Sequence, residues 1–376
     1  MKDMTTEVFA TLSIIILSWV VLLAADAALC GILNLIAGIS FRKAFLWGCI
    51  SLIIPPAVIA YGGLVERKML KVNQVEVEFD GLPENFEGYR IVHISDIHAR
   101  SFQGRETDLL KAVETINVLN PDMVAFSGDL ITMLPDELDG IGGILSGIKS
   151  SDGVFSVLGN HDYCMYSDMS SEDKEAALEK LITIQGEMGW TLLMNENRII
   201  RRGEDSIAVV GVENTSTSRH FPSRGHLKRA SEGTEGMFRI LLSHDPLHWE
   251  SEVLDHGFPL TLSGHTHAMQ FSLFGWSPSR YLFPQYRGLY QSYCQVHEAH
   301  QRGLRQEDSA HCCSEHNESG VLSPGWQCLY RRMHGRCEDS NQYLYVNTGI
   351  GETIFPVRIG VRPEITLIIL KSPRHR

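Results

Sequence analysis

The stretch Ile91-Val92-His93-Ile94-Ser95-Asp96-Ile97-His98 decides how this sequence folds. A mostly apolar run gives way to a carboxylate and an imidazole, the pattern of a buried strand whose C-terminal end opens into a chemically active loop. The same passage recurs four times. Met123 to Ser127 leads into Gly128-Asp129, and Val154 to Leu158 into Gly159-Asn160-His161-Asp162. Phe238 to Ser243 leads into His244-Asp245, and Leu260 to Ser263 into Gly264-His265-Thr266-His267. Ile207 to Gly211 is a further run of this kind.

Between these runs lie helical patterns. Leu109, Leu110, Val113, Ile116 and Leu119 recur at helix spacing and stop before Pro121, and a second helix is expected from Glu172 to Met188. Val75, Val77 and Phe79 alternate with Glu76 and Glu78, which marks a half-buried strand at the start of the soluble part. Strands alternating with helices, then strands joined by turns such as Gly203-Glu204-Asp205, give an α/β domain of mixed sheets packed face to face. Such folds place their chemistry on loops at strand ends.

Asp96, His98, Asp129, Asn160, His244, His265 and His267 offer carboxylate oxygen, amide oxygen and imidazole nitrogen. That donor set suits Mn, Zn or Fe, and the lack of neighbouring cysteine argues against a structural zinc site. In an extended chain Asp96 and His98 point to one side, as do His265 and His267, so each pair can present two ligands to one small space. A lone Asp-x-His is usually a loop carboxylate and a core histidine. Five clusters in sequence, each after an apolar run, are not.

Composition bounds the rest. The chain has 376 residues, 44% apolar and 21% charged, with a formal net charge of −12. No global positive field exists to attract nucleic acid. An acidic protein acting on phosphorylated substrates would repel them unless bound cations reversed the sign locally.

Residues 8–25 carry no charge, apolar character continues to Ile39, and Phe45 to Val65 is a second uncharged run. About twenty residues cross the ~30 Å hydrocarbon layer, so both runs can span it. A signal peptide would account for one run but not two. The expected organisation is a transmembrane helical anchor over 1–66 and a catalytic domain over 72–371. Pro55 and Pro56 are expected to kink the second helix, and Asp26 to sit at a helix end or face the partner helix. Lys2, Arg67, Lys68 and Lys71 flank one side and Arg42 and Lys43 the other, a bias that assigns no membrane side.

In this order the five clusters resemble the calcineurin-like metallophosphoesterase family, whose pattern is Asp-x-His, Gly-Asp, Gly-Asn-His-Asp or -Glu, a lone His and Gly-His-x-His. The blocks cover residues 90–267. Gly288-Leu289-Tyr290 and Tyr345-Val346-Asn347-Thr348-Gly349-Ile350-Gly351 are similar to its membrane-anchored bacterial branch. The resemblance implies two packed mixed β-sheets flanked by helices and a site holding two divalent ions. Asp96, His98 and His267 would bind the first, Asn160, His244 and His265 the second, and Asp129 would bridge them. His161 would donate a proton to the leaving oxygen or stabilise the transferring group, with Asp162 orienting it. The implied reaction is hydrolysis of a phosphomonoester or phosphodiester by a bridging hydroxide.

An anchored site meets lipid head groups more often than soluble substrates, so a phospholipid or a lipid-linked sugar nucleotide pyrophosphate is the narrower alternative. A non-catalytic membrane scaffold is a third, disfavoured because no ligand is missing. Residues 292–342 hold five His and five Cys without Cys-x-x-Cys pairs and read as a solvated insertion outside the family pattern. His93, His248 and His256 read as structural, the last two on a helix or loop surface. Loops 99–105, 130–140 and 212–236 would set substrate specificity. Oligomeric state leaves no trace in the sequence.

Overall fold

The computed structural model describes residues 2–216, 221–292 and 342–373, with side chains from Leu12 onward. All five cysteines of the 292–342 insertion therefore lie outside the described residues.

Among the described residues twelve strands form two six-stranded sheets. The first contains β1 (Lys71–Glu78), β2 (Arg90–Ile94), β3 (Met123–Phe126), β4 (Val154–Ser156), β5 (Trp190–Leu192) and β12 (Glu364–Lys371), in the order β1-β12-β2-β3-β4-β5. The second contains β6 (Glu196–Arg202), β7 (Asp205–Gly211), β8 (Phe238–Leu242), β9 (Leu260–Ser263), β10 (Gly288–Ser292) and β11 (Gln342–Val346), in the order β10-β11-β9-β8-β7-β6. Strands β2 to β5 run parallel to one another, as do β7, β8, β9 and β11, while β12 is antiparallel to β2.

The apolar runs are continuous because both faces of each sheet are covered. Ile91, Met123, Ala125, Ile240 and Leu262 fill the space between the sheets. Val92, Ile94, Val124 and Phe126 face the other way, onto the helix Glu106–Val118 and the helix Ser171–Glu187. The second helix is capped by Ser170, whose Oγ accepts the backbone N–H of Asp173.

Three helices precede β1: α1 (Lys2–Ala37), α2 (Phe41–Gly48) and α3 (Ile54–Leu64), and the two helices named above follow as α4 and α5. Leu12–Ala37 and Phe41–Lys68 are each long and apolar enough to cross a membrane. Residues 49–53 form a tighter 3-10 turn between α2 and α3, and Pro55 and Pro56 occupy the first turn of α3, where a missing N–H breaks no bond. Asp26 faces the second span, as expected: Gly48 leaves room for its carboxylate, which a Cβ there would displace.

β6 is the strand that the Gly203-Glu204-Asp205 turn implies, though no apolar run marks it: Glu196, Arg198 and Arg201 are exposed at a sheet edge and Ile200 is its one buried residue, which protects the edge from pairing further.

Candidate metal centre

All five clusters sit just beyond the C-terminal ends of β2, β3, β4, β8 and β9. Because those strands are parallel within their sheets, their ends gather their loops at one rim. The expectation that Asp96 with His98, and His265 with His267, converge through an extended chain is corrected. Their φ angles are 49°, 44°, 70° and 46°, all left-handed, and Asp129 stands at 60°. Turns of this kind, uncommon for residues other than glycine, fold the loop after β2 so that Asp96 and His98 reach one point, and send His265 and His267 to two different groups of donors.

The loops approach too closely for side chains at two positions. A Cβ on Gly264 would lie 2.3 Å from Asp96 Oδ2, and one on Gly159 2.2 Å from Asp129 Oδ1. Glycine is required there by space rather than by conformation.

The donor atoms of Asp96, His98 and His267 form one group, and those of Asp129, His244 and His265 another; within each they lie within 4.8 Å of one another. His98 Nε2 is 3.1 Å from His267 Nε2, which is 3.2 Å from Asp96 Oδ1. On the other side, His244 Nε2 is 3.2 Å from each of Asn160 Oδ1, His265 Nδ1 and Asp129 Oδ2. Asp129 Oδ2 is also 3.8 Å from His98 Nε2, so this carboxylate stands between the two groups. His98, Asp129 and His161 form a third such group.

The donor set fits cations. Two pairs of imidazole nitrogens face each other across about a hydrogen-bond length, an arrangement that needs a shared proton or a positive ion between the lone pairs. His244 donates its Nδ1–H to the carbonyl of Ser127 at 2.8 Å, which fixes the tautomer and leaves Nε2 as the inward lone pair. All of these side chains are buried except His265 and His161, which are half-buried.

The electrostatics agree except at His244. Burial pushes the Asp129 carboxyl up, but His244 and His161 outweigh it and hold the group well below its ordinary range. Burial opposes a charge on His244, yet Asp129 raises it to about 10. Burial lowers His98 and His265, with neighbouring imidazoles adding to the effect. Anionic oxygens and neutral imidazoles are the states that coordinate metals, so the lowered His98 and His265 are ready for a cation, whereas His244 holds against Asp129 a proton that a cation would have to displace.

The expected role of Asp162 is also corrected. Its carboxylate accepts the backbone N–H groups of Asp129, Leu130, Ile131 and Gly159 at 2.8–3.2 Å and does not touch the His161 ring. Burial and the adjacent Asp129 charge raise it to about 7, against those four donors, and cations at the site would relieve the repulsion. Asp162 thus ties the β3 loop to the β4 loop. His161 is positioned instead by Thr132, whose carbonyl accepts Nδ1–H at 2.7 Å, and by Tyr166, stacked on the ring at 4.3 Å.

Tyr166, Phe221 and Phe283 carried no sequence signal and border the site. Phe221 and Phe283 both meet the His265 ring edge-on, at 5.9 and 5.3 Å. His93 is structural as expected: it is buried, paired with Ser127 Oγ at 2.9 Å, and lowered by burial to about 3. His248 is not on the surface but buried between Ser243 and Glu252, whereas His256 is exposed.

Residues 89–269 match the calcineurin-like phosphoesterase family. They are a calcineurin-like phosphoesterase domain. A phosphoric ester hydrolase is the enzyme class that this domain denotes, and such domains hold divalent metals. The chain is 31% identical to a transmembrane protein with metallophosphoesterase domain from Danio rerio over 90% of its own length, and spans 64% of that relative. It is 26% identical to the metallophosphoesterase YkuE of Bacillus subtilis, over 88% of this chain and 98% of the relative. It is 25% identical to the UDP-2,3-diacylglucosamine pyrophosphatase LpxG of Chlamydia muridarum, over 56% of this chain and 72% of that one.

Proposed function

We propose that this chain is a membrane-anchored hydrolase that cleaves a phosphomonoester or phosphodiester with two divalent cations, anchored by residues 1–66 and catalytic over 72–371. The observation that carries the reading is the convergence of Asp96, His98, Asp129, Asn160, His244, His265 and His267 around the Asp129 carboxylate.

Asp96, His98 and His267 would hold one ion and Asn160, His244 and His265 the other, with Asp129 shared. Bound cations would supply the acidity to ionise water at neutral pH and the positive charge that draws in phosphoryl oxygens. Asn160 contributes an oxygen without a charge, which keeps the centre cationic. Asp162 holds two ligand loops in register through their N–H groups. His161, with Nδ1–H fixed on Thr132, is left with Nε2 to give a proton to the leaving oxygen.

Metal analysis of the purified chain, with turnover of p-nitrophenyl phosphate mono- and diesters in Mn²⁺, tests this. Two ions per chain and hydrolysis are expected; metal-loaded protein without turnover refutes it. The similarity to LpxG and the two apolar helices support a second reading, a lipid-borne phosphoester or pyrophosphate as substrate. Equal rates on detergent-solubilised lipid and soluble nucleotide substrates would count against it.

A further inference from the structure

Residues 267–283, which lead away from the last histidine of the site, carry a group of exposed apolar side chains. Leu273 pairs with Trp276 through reciprocal backbone hydrogen bonds of 2.8 and 3.0 Å, closing a two-residue hairpin. Its tip, Phe274-Gly275, has φ of 48° and 84°, the geometry of a tight primed turn. An aromatic residue is strained there, and Phe274 is 100% exposed, so its ring packs on none of the described residues. The turn is nonetheless firmly held: the Gly275 carbonyl accepts from Arg287 at 3.2 Å and from Tyr286 Oη at 3.3 Å.

Leu273 and Trp276 flank that tip, the Tyr281 ring meets Trp276 at 6.3 Å with Leu282 next to it in the chain, and Ile354 follows Thr353, whose N–H donates to Gln270; all five are exposed as well. Beyond residue 68 and apart from this segment and Ile354, the exposed large apolar side chains among the described residues are Val72, Leu110, Val118, Met165 and Tyr166. A contiguous apolar group of this kind marks a contact surface.

The apolar group continues the surface of the membrane helices. Gly62 of α3 packs against the Arg358 carbonyl and the side chains of Val357 and Ile359, with Arg358 N–H directed at the Gly62 carbonyl. On the opposite side of the same segment, Ser272 N–H donates to the Ile359 carbonyl at 2.7 Å and Phe271 bridges Ile359. One strand's width thus separates the base of the hairpin from α3, about 10 Å at two strand spacings of roughly 4.8 Å. Tyr61 and Leu64 in the last turns of α3 are exposed and apolar too. Trp and Tyr flanking Phe and Leu is the composition that settles at a bilayer's interface.

We propose that the Leu273–Trp276 hairpin, with Tyr281, Leu282 and Ile354, inserts into the membrane leaflet from which α3 emerges, as a second contact beside the helical anchor. It rests on the reading of the N-terminal helices as membrane-spanning. The inserted hairpin begins three residues after the His267–Gln270 turn, and Phe283 abuts His265, so the site's rim would lie at the head-group level. Phosphoesters carried on lipids would then reach the site without leaving the bilayer.

The test places the photo-crosslinking residue p-benzoylphenylalanine at 274, at Leu17 or at Val118 of the full chain in phosphatidylcholine–phosphatidylglycerol vesicles, with adducts read by mass spectrometry. Leu17 is an exposed position in α1. Val118 is 84% exposed at the end of α4 remote from Arg105, whose side chain contacts the Arg67 carbonyl. Lipid adducts at 274 and 17, with their loss at 118, are expected. Adducts at 17 but not at 274 overturn the hairpin's insertion and leave the anchor standing. No adducts at either overturn both, and a cross-link from 274 to a second copy of the chain makes the hairpin a self-association surface instead.

Discussion

The Nδ1 of His161 lies 2.7 Å from the carbonyl oxygen of Thr132. A carbonyl only accepts, so Nδ1 carries the proton and Nε2 is the atom presented to the site. Tyr166, stacked on the ring, limits its rotation. His161→Ala is expected to lower kcat by about 10²- to 10⁴-fold, the usual worth of a general acid. Bound metal, measured by plasma mass spectrometry, should stay at the wild-type level. Because His161 also lies within reach of His98 and Asp129, a loss of one ion would reassign it as a ligand.

Asp129 is the one carboxylate shared by both sides of the centre. Adding Mn²⁺ to chelator-stripped protein at about 100 times Kd should stabilise it by ~2.7 kcal/mol, roughly 5–10 °C in Tm. In Asp129→Asn most of that shift should vanish and the metal count should fall, because an amide cannot offset the repulsion of two cations. The amide can still accept the His161 N–H that Asp129 Oδ1 accepts at 2.8 Å, so the loop itself should survive. An unchanged metal count would remove Asp129 from its shared position.

The donors of this site were legible in the sequence because each follows an apolar run and the runs become parallel strands. What Asp96, Asp129, His265 and His267 share in backbone conformation was not legible. Left-handed turns at such residues leave no composition signal, and extended-chain reasoning gave convergence for the wrong reason. Asp162 was misjudged similarly: adjacency in Asn160-His161-Asp162 suggested a contact with the histidine ring, whereas the carboxylate faces four N–H groups from two loops. Gln270 and Glu352 were missed because their partners are distant in sequence.

Gln270 closes a run of four left-handed residues, His267 to Gln270, with φ between 46° and 53°. Each costs about 1–2 kcal/mol where the residue is not glycine, so the run must be held from outside. The buried Gln270 amide does this, donating to the carbonyls of Phe355 and Val357 at 2.9 Å and accepting from Thr353 N–H at 2.7 Å. Gln270→Met keeps the volume and strands those groups, at about 1–3 kcal/mol each in part compensated by water. Tm should fall by roughly 5–10 °C, and Mn²⁺ affinity, titrated calorimetrically, should weaken as His267 loosens. Unchanged affinity with lowered Tm would confine Gln270 to the fold.

Glu352 joins the helical anchor to the site. Its buried carboxylate receives Arg67 Nη2 at 3.0 Å, from the end of the second span, and Arg105 Nη1 at 3.1 Å, from the start of α4. One residue earlier, Gly351 N–H donates to the Asp96 carbonyl at 2.9 Å, so the strut runs from α3 to a ligand backbone. Removing one partner of a buried ion pair costs about 3–5 kcal/mol. Both arginines here keep some contact with water, so about 2–3 kcal/mol is expected for Glu352→Gln, seen as a Tm lowered by several degrees. The variant should also expose the 65–70 linker to limited proteolysis in vesicles, since Arg67 would keep the Pro356 carbonyl at 3.1 Å but would compete with Arg105 for one neutral amide oxygen. Arg67→Ala should reproduce the proteolysis, while Arg105→Ala should lower Tm without it. If both arginine variants cleave alike, the anchor is not fastened through Arg67, and Glu352 serves only to join α4 to the site.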